Sequence, residues 1–130
     1  MMTDYVPVYT GGASPFTQTT SGTVTGGQVL VSSGSGSVAA AGADSAVVVG
    51  VAAHDAASGA KVSVWPMAGV VHELVATAAI SANAGVVTDA TAGQVKTSAV
   101  GTAAAAGTLI GTALTTAAGS PLKLRVLGRS

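Results

Sequence analysis

The chain has no cysteine, which removes disulfides, thiolate metal sites and cysteine nucleophiles at once, and with them any reading of redox compartment. It is nearly as poor in aromatics, with one Trp, two Tyr and one Phe in 130 residues. Its apolar content comes from small side chains, 27 Ala and 20 Val, and a core built from them is thin. Charge is scarce as well, at 8% of positions against about 25% in an ordinary soluble domain. Five basic residues balance five acidic ones, so no basic stripe exists to neutralise phosphates, and nucleic acid is excluded as a partner. Long apolar runs are missing: the uncharged stretches Tyr5 to Ala43 and Thr97 to Leu122 are interrupted throughout by Gly, Ser and Thr. Neither supplies the roughly 20 apolar residues of a membrane-spanning helix, so no membrane partner is expected. Residues Met1 to Tyr5 lack the basic stretch and apolar run of a signal peptide, which points to a soluble, non-secreted chain.

These limits describe one domain, or two half-sized lobes sharing a core, because a chain of this length cannot fill a second independent one. A Ser/Thr/Gly surface with near-zero net charge associates readily. Thin cores also gain stability when subunits bury surface against each other. The chain is therefore expected to live in an assembly, with copies of itself among its partners.

What the sequence does contain is a repetition. Residues 47–64, from Val47 through Gly50, Ala56-Ala57 and Lys61 to Val64, are echoed by residues 108–126, from Thr108 through Gly111, Ala117-Ala118 and Lys123 to Val126. Each copy reads as an apolar strand broken by Gly, a turn of small residues, then an alternating strand carrying one Lys. One inserted residue in the second turn restores the match. Short β-branched runs at Gln28–Ser32, Ala46–Ala52, Lys61–Trp65, Val70–Leu74, Gly85–Thr88, Gln94–Ser98, Thr108–Leu114 and Leu122–Leu127 alternate with Gly-rich punctuation, the pattern of an all-β sandwich or barrel. Asp89 to Gly93 reads as a hairpin loop. Helix is allowed only in Ala-rich pieces such as Thr77 to Ala84 or Thr102 to Ala106. The expected architecture is an all-β domain over 24–130, a small barrel or sandwich closed by two related halves at about 24–75 and 76–130. An extended N-terminal arm over 1–23 precedes it. That arm holds both Tyr residues, the only Phe and two of the four Pro, in Tyr5-Val6-Pro7-Val8-Tyr9 and Ser14-Pro15-Phe16. Pro7 and Pro15 favour extended backbone. Docking of the arm on its own domain and docking on a partner are both open from the residues.

Little of the remaining pattern reads as chemistry. Gly34-Ser35-Gly36-Ser37-Val38-Ala39 formally fits a dinucleotide-binding fingerprint with Asp55 downstream, yet no long amphipathic helix follows, so a Ser/Gly loop is the better reading and no cofactor is expected. The two histidines each precede a carboxylate, as His54-Asp55 and His72-Glu73. The repeat aligns His54-Asp55 with Thr115-Thr116, so plain hydroxyls serve in that turn, and adjacent strand residues His72 and Glu73 point to opposite faces. Neither pair reads as a catalytic or metal site. The lone Trp65 and nearby Met67 are candidates for a subunit interface, against the alternative of capping a core. Lys123 and Arg125 fall on one strand face, with Arg129 beyond them, which suits protection of an edge strand or contact with an acidic partner.

Gly22 to Val29, Val49-Gly50-Val51-Ala52 leading to Ala57 through Val64, Ala68 to Leu74, and Leu109 to Ala113 with Leu124 to Leu127 together resemble the capsid cement or decoration proteins of tailed phages over residues 20 to 128. The Val-Gly-Val-Ala module is also similar to the lambda-type head decoration proteins. Where that family often carries an aromatic strand, this chain has Val86-Val87-Thr88. The resemblance implies a structural virion protein, not an enzyme. It implies binding of the major capsid protein on the outer surface of the assembled head, as a homotrimer, with strengthening against internal pressure. The arm residues Tyr5, Val6, Pro7, Val8, Tyr9, Pro15 and Phe16 are then the candidates for capsid contact. The alternative is a head-fibre base or a tail-associated adhesin module that binds a glycan or host surface.

Overall fold

A computed structural model describes residues 4–98, 103–104, 107–118 and 122–129. Among these, ten strands follow one another in the chain: β1 (Phe16–Thr20), β2 (Val29–Gly34), β3 (Ser37–Ala40), β4 (Val48–Ala52), β5 (Lys61–Pro66), β6 (Val71–Ala76), β7 (Gly85–Thr88), β8 (Val95–Ser98), β9 (Gly111–Ala113) and β10 (Leu122–Gly128). The all-β class expected from the sequence is borne out, and the strands form two related sets, but with other bounds than 24–75 and 76–130: β1, within the expected arm, belongs to the first set, and β6, within the expected first half, belongs to the second. The halves do not complete one barrel between them, however; each closes its own. The first runs β1-β3-β2-β4-β5 and the second β10-β6-β8-β7-β9, which is the same cyclic order when β1 to β5 are laid over β6 to β10.

The correspondence extends to single residues. A lone bridge joins Val24 to Ala56 in the first barrel and Ile80 to Ala117 in the second. Phe16 lies opposite Val64 as His72 lies opposite Val126. Gly27 and Asn83 occupy the same turn, both with positive φ, and donate their N–H groups to Ala52 and Ala113 carbonyls at 2.8 and 2.7 Å. The glycines that break the two apolar strands, Gly50 and Gly111, have a common cause. A Cβ at Gly50 would run into the Trp65 carbonyl oxygen and lie 2.8 Å from Val64 Cγ1; at Gly111 it would meet the Leu127 carbonyl and lie 2.7 Å from Val126 Cγ1. At these points β4 and β9 press against the backbone of β5 and β10, a proximity that only a residue without a side chain permits.

Five strands impose a further condition. Alternating directions cannot close a ring of odd number, so one neighbouring pair must be parallel. That pair is β1 with β3 and β6 with β8, and it is short: Thr19↔Ser37 and Thr20↔Val38 in one barrel, Ala76↔Val95 alone in the other. β1 and β3 are also the two strands that sequence pattern missed. Phe-Thr-Gln-Thr-Thr and Ser-Val-Ala-Ala carry too little apolar alternation to announce themselves, and they form because the ring needs them. The Ala-rich piece from Thr77 to Ala84 makes bends and a turn rather than a helix, while Ala103 and Ala104 are helical; the rest of Thr102 to Ala106 lies outside the described residues.

The barrel interiors are lined by corresponding residues, Val24, Leu30, Val38, Ala52, Val62 and Val64 in the first and Ile80, Val86, Val95, Ala113, Leu124 and Val126 in the second. Between them the turn after β7 docks on the first barrel. Val29 N–H donates to Gly93 O at 3.0 Å, Gly93 N–H to Ala41 O at 3.0 Å and Asp44 N–H to Thr88 O at 2.9 Å. Lys96 adds an ion pair to Asp44 at 3.2 Å. Val29, Val51 and Met67 join the interior of the second barrel in one buried cluster, so the thin cores share apolar surface. On the second barrel Val87 forms a small buried cluster of its own with Ala103 and Leu109.

Replacing Gly50 or Gly111 with Ala is expected to lower stability by about 2–3 kcal/mol through forced separation of paired strands. Gly22→Ala and Gly42→Ala, where an added Cβ meets nothing within 4 Å, are expected to leave it almost unchanged. Urea unfolding of the four variants checks this; equal effects at all four positions would contradict it.

Candidate functional site

The histidine pairs resolve into structural roles. Asp55 Oδ1 accepts from Gly26 N–H at 2.9 Å, and Thr116 Oγ1 accepts from Ala82 N–H at 3.1 Å in the corresponding place. His54 Nε2 accepts from Ser63 N–H at 3.2 Å, as Thr115 Oγ1 accepts from Arg125 N–H at 2.9 Å. His54 and Thr115 therefore perform one task, that of capping a backbone N–H beside the turn. The hydrogen bond between His54 Nδ1 and Asp55 O, at 2.9 Å, places the ring proton on Nδ1. The Gly34-to-Ala39 stretch is the β2–β3 hairpin, with Gly36 at positive φ, and no helix follows its glycines. Among the described residues no three His, Asp or Glu side chains gather as a metal site would require.

His72 stands apart because it is wholly buried. The period of β6 places it on the core face with Leu74 and Ala76, where an imidazole needs partners for both nitrogens. Both are supplied. Nδ1 accepts from the Tyr5 hydroxyl at 2.7 Å, and Nε2 donates to Pro66 O at 2.8 Å. The Tyr5 oxygen in turn accepts from Glu73 N–H at 3.1 Å, and the Tyr5 and His72 rings stack with centroids 5.8 Å apart. Tyr5 also donates its own N–H to Ala53 O in the first barrel at 2.7 Å. One residue thus ties the N-terminal segment to both barrels, by its main chain to the first and its side chain to the second. Alternation along β6 was a readable signal for the burial of His72; the distant partner was not.

The segment that Tyr5 anchors fills the gap left by the short parallel pair in the second barrel. Val71 N–H donates to Tyr9 O at 2.9 Å, and Val8 N–H donates to Val71 O at 2.9 Å. The edge of β6 that β8 leaves bare is therefore covered by Tyr5 to Tyr9. Tyr5 and Pro7 turn inward, while Val6, Val8 and Tyr9 remain 69%, 45% and 61% exposed. Residues 4–10 therefore lie along the protein as an extended sealing segment with a single bridge, Tyr9 to Val71, and Phe16, counted with the arm in the sequence reading, begins β1 with Pro15 exposed just before it.

The remaining candidates are dispersed. Trp65 is half-buried on β5, and Met67, at 5% exposure, belongs to the cluster shared by the barrels, so its side chain faces the protein's own core. Lys123 and Arg125 are exposed on the outer face of β10, with Lys123 3.8 Å from Glu73. Sequence reading overlooked the exposed Leu114 and Leu127, on the same outer wall, and Val47. An open cleft of about 270 Å³ between the barrels is walled by Val48, Val49, Met67, Leu109 and Ile110, with Arg129 as its charged residue. Such a surface can hold another protein by apolar and backbone contact, and it brings no acid and base together.

Burial drives the His72 pKa below the usual imidazole range, with the Pro66 hydrogen bond opposing. Burial likewise drives the Tyr5 hydroxyl above the usual phenol range. Both shifts favour the neutral side chains in the folded state. Stability from His72 is complete above its unfolded pKa of about 6.5 and is lost as pH falls below it; that from Tyr5 is complete below about pH 10 and is lost above. Melting temperature is expected to be flat near neutrality and to decline from pH 6.5 toward 5, with His72→Gln removing the decline. Tyr5→Phe, which strands Nδ1 of His72 and the Glu73 N–H, is expected to cost about 2 kcal/mol. Thermal melts across pH check both; an unchanged acid slope in His72→Gln would contradict the assignment.

Comparison with known proteins agrees with this geometry. No curated protein matches the chain. Among solved structures, the N-terminal base of the head fibre protein gp8.5 of bacteriophage phi29 has the same fold, with a TM-score of 0.67 over 100% of this chain and 97% of that one at 20% identity. The family model described as phage cement protein matches residues 8–128, from the sealing segment to the end of β10. With all ten strands of both barrels inside that match, the chain belongs to the phage cement protein family.

Proposed function

We propose that the protein binds the outer surface of the assembled phage head, as a homotrimer, and stabilises the shell against internal pressure without catalysing a reaction. The observation that carries this reading is the family match across both barrels. The physical character of the surface supports it. Val6, Val8 and Tyr9 are held out from the barrel wall by the inward Tyr5 and Pro7, a preorganised apolar strip that loses little freedom when it is covered. With so few charges, each contact is modest, and strength comes from many copies acting on one shell. The proposed partner is the major capsid protein. Trp65, half-buried on β5, stays the candidate for contact between copies, whereas Met67 could contribute only through the rim of the cleft it helps to wall.

The likeness to a head-fibre base supports a second reading, in which the protein sits on the head as a mount for a fibre. One experiment separates the two. Heads lacking the protein are mixed with the purified chain, sedimented and heated. The cement reading expects co-sedimentation and DNA retention to a higher temperature; binding without added heat resistance favours the mount, and a chain that stays in the supernatant overturns both. In the same assay the triple substitution Val6→Ser, Val8→Ser and Tyr9→Ser, which leaves Tyr5 and Pro7 in place, is expected to reduce binding by at least about tenfold.

A further inference from the structure

The two barrels share one topology, so each has a gap beside its short parallel pair, and among the described residues only one of the gaps is filled. In the second barrel Tyr5 to Tyr9 fills it, satisfying Val71 N–H and C=O along the edge and Glu73 N–H through the Tyr5 hydroxyl. The register that sets Phe16 beside Val64 and His72 beside Val126 makes Pro15 the counterpart of Val71 and Thr17 the counterpart of Glu73. On β1, Thr20 N–H bonds to Ala60 O on the β5 side, whereas Thr19 N–H bonds to Gly36 O and Ser21 N–H to Val38 O on the β3 side. Alternation therefore aims the N–H and C=O of Thr17, and the C=O of Pro15, past the end of β3. Among the described residues nothing meets them, and Ser14, Pro15, Phe16 and Thr17 are all exposed.

We infer that this open edge of β1, at Pro15 to Thr17, is a docking site for an extended strand of the capsid subunit, which would complete the first barrel as Tyr5 to Tyr9 completes the second. The inference rests on the cement reading and specifies its contact. Three features select the occupant. The filled gap demonstrates that such an edge accepts an extended segment in this fold. A second copy of the chain has already spent its matching segment on its own β6, and among the described residues its strands are all taken up in the two closed barrels. No charged residue lies between Tyr5 and Ala43, so the edge fits an uncharged strand recognised through its main chain. Pro15 has no N–H, which leaves one donor at Thr17 between two acceptors and fixes the pairing register.

Because Thr17 N–H points away from β5, proline at this position removes the docking donor and no bond of the barrel itself. In head sedimentation, Thr17→Pro is expected to weaken binding about tenfold, while Thr17→Val, which keeps the N–H, stays within about twofold of the parent. The chain lacks cysteine, so Thr17→Cys gives a single attachment point for a photo-crosslinker, and crosslinks to the capsid protein are expected even if the proline variant folds poorly. Full binding by a folded Thr17→Pro, crosslinks to a second copy, or no crosslink on occupied heads would overturn the inference while leaving the cement reading standing. Failure of the parent chain to bind heads would overturn the cement reading itself.

Discussion

The structure depends on a rule of parity. A closed ring of five strands cannot alternate throughout, so each barrel must contain one parallel pair, and parallel pairing is the weaker kind. Here that pair is reduced to one or two residues at Thr19–Thr20 and Ala76, and beyond it the neighbouring strand is left with bare backbone groups. Unpaired edges invite association. The chain answers once from its own resources, by laying Tyr5 to Tyr9 along β6, and among the described residues nothing covers the same feature on β1.

The thin core follows a related logic. Ala and Val fill two small interiors but provide little area to hold separate barrels together, so Val29, Val51 and Met67 are shared with the second barrel and the turn after β7 is hydrogen-bonded into the first. Tyr5 adds a further polar tie, through its N–H to Ala53 O in the first barrel and its hydroxyl to His72 in the second. Its half-buried, fully partnered contact with His72 and Glu73 fixes how the N-terminal strip is presented. Partial satisfaction of such a network costs more than an apolar substitute, which gives the docked state of this segment a definite geometry.

Much of this was legible in the sequence because the chain repeats. The alignment of Gly50 with Gly111, and of His54-Asp55 with Thr115-Thr116, survives as shared backbone clashes and shared capping bonds. Eight strands announced themselves by β-branched alternation; β1 and β3 did not, since polar and small residues form them only under the demand of closure. For the same reason the sequence suggested one barrel where there are two, as strand count without β1 and β3 does not suffice for a pair of rings. The inward turn of Tyr5 could not be read locally, because its partner His72 is 67 positions away. The outward-facing residues at Val6, Val8 and Tyr9 were reached by composition alone, which marks an aromatic, proline-bearing segment but not which side of it is covered.

Amide hydrogen exchange, residue by residue and with heads absent or present, probes the role of the two gaps most directly. The account predicts slow exchange at Val71 and Glu73 in the free protein, fast exchange at Thr17, and slowing at Thr17 once the protein is bound to heads. Equal protection at all three positions in the free protein, or a Thr17 amide that still exchanges freely on occupied heads, would contradict it.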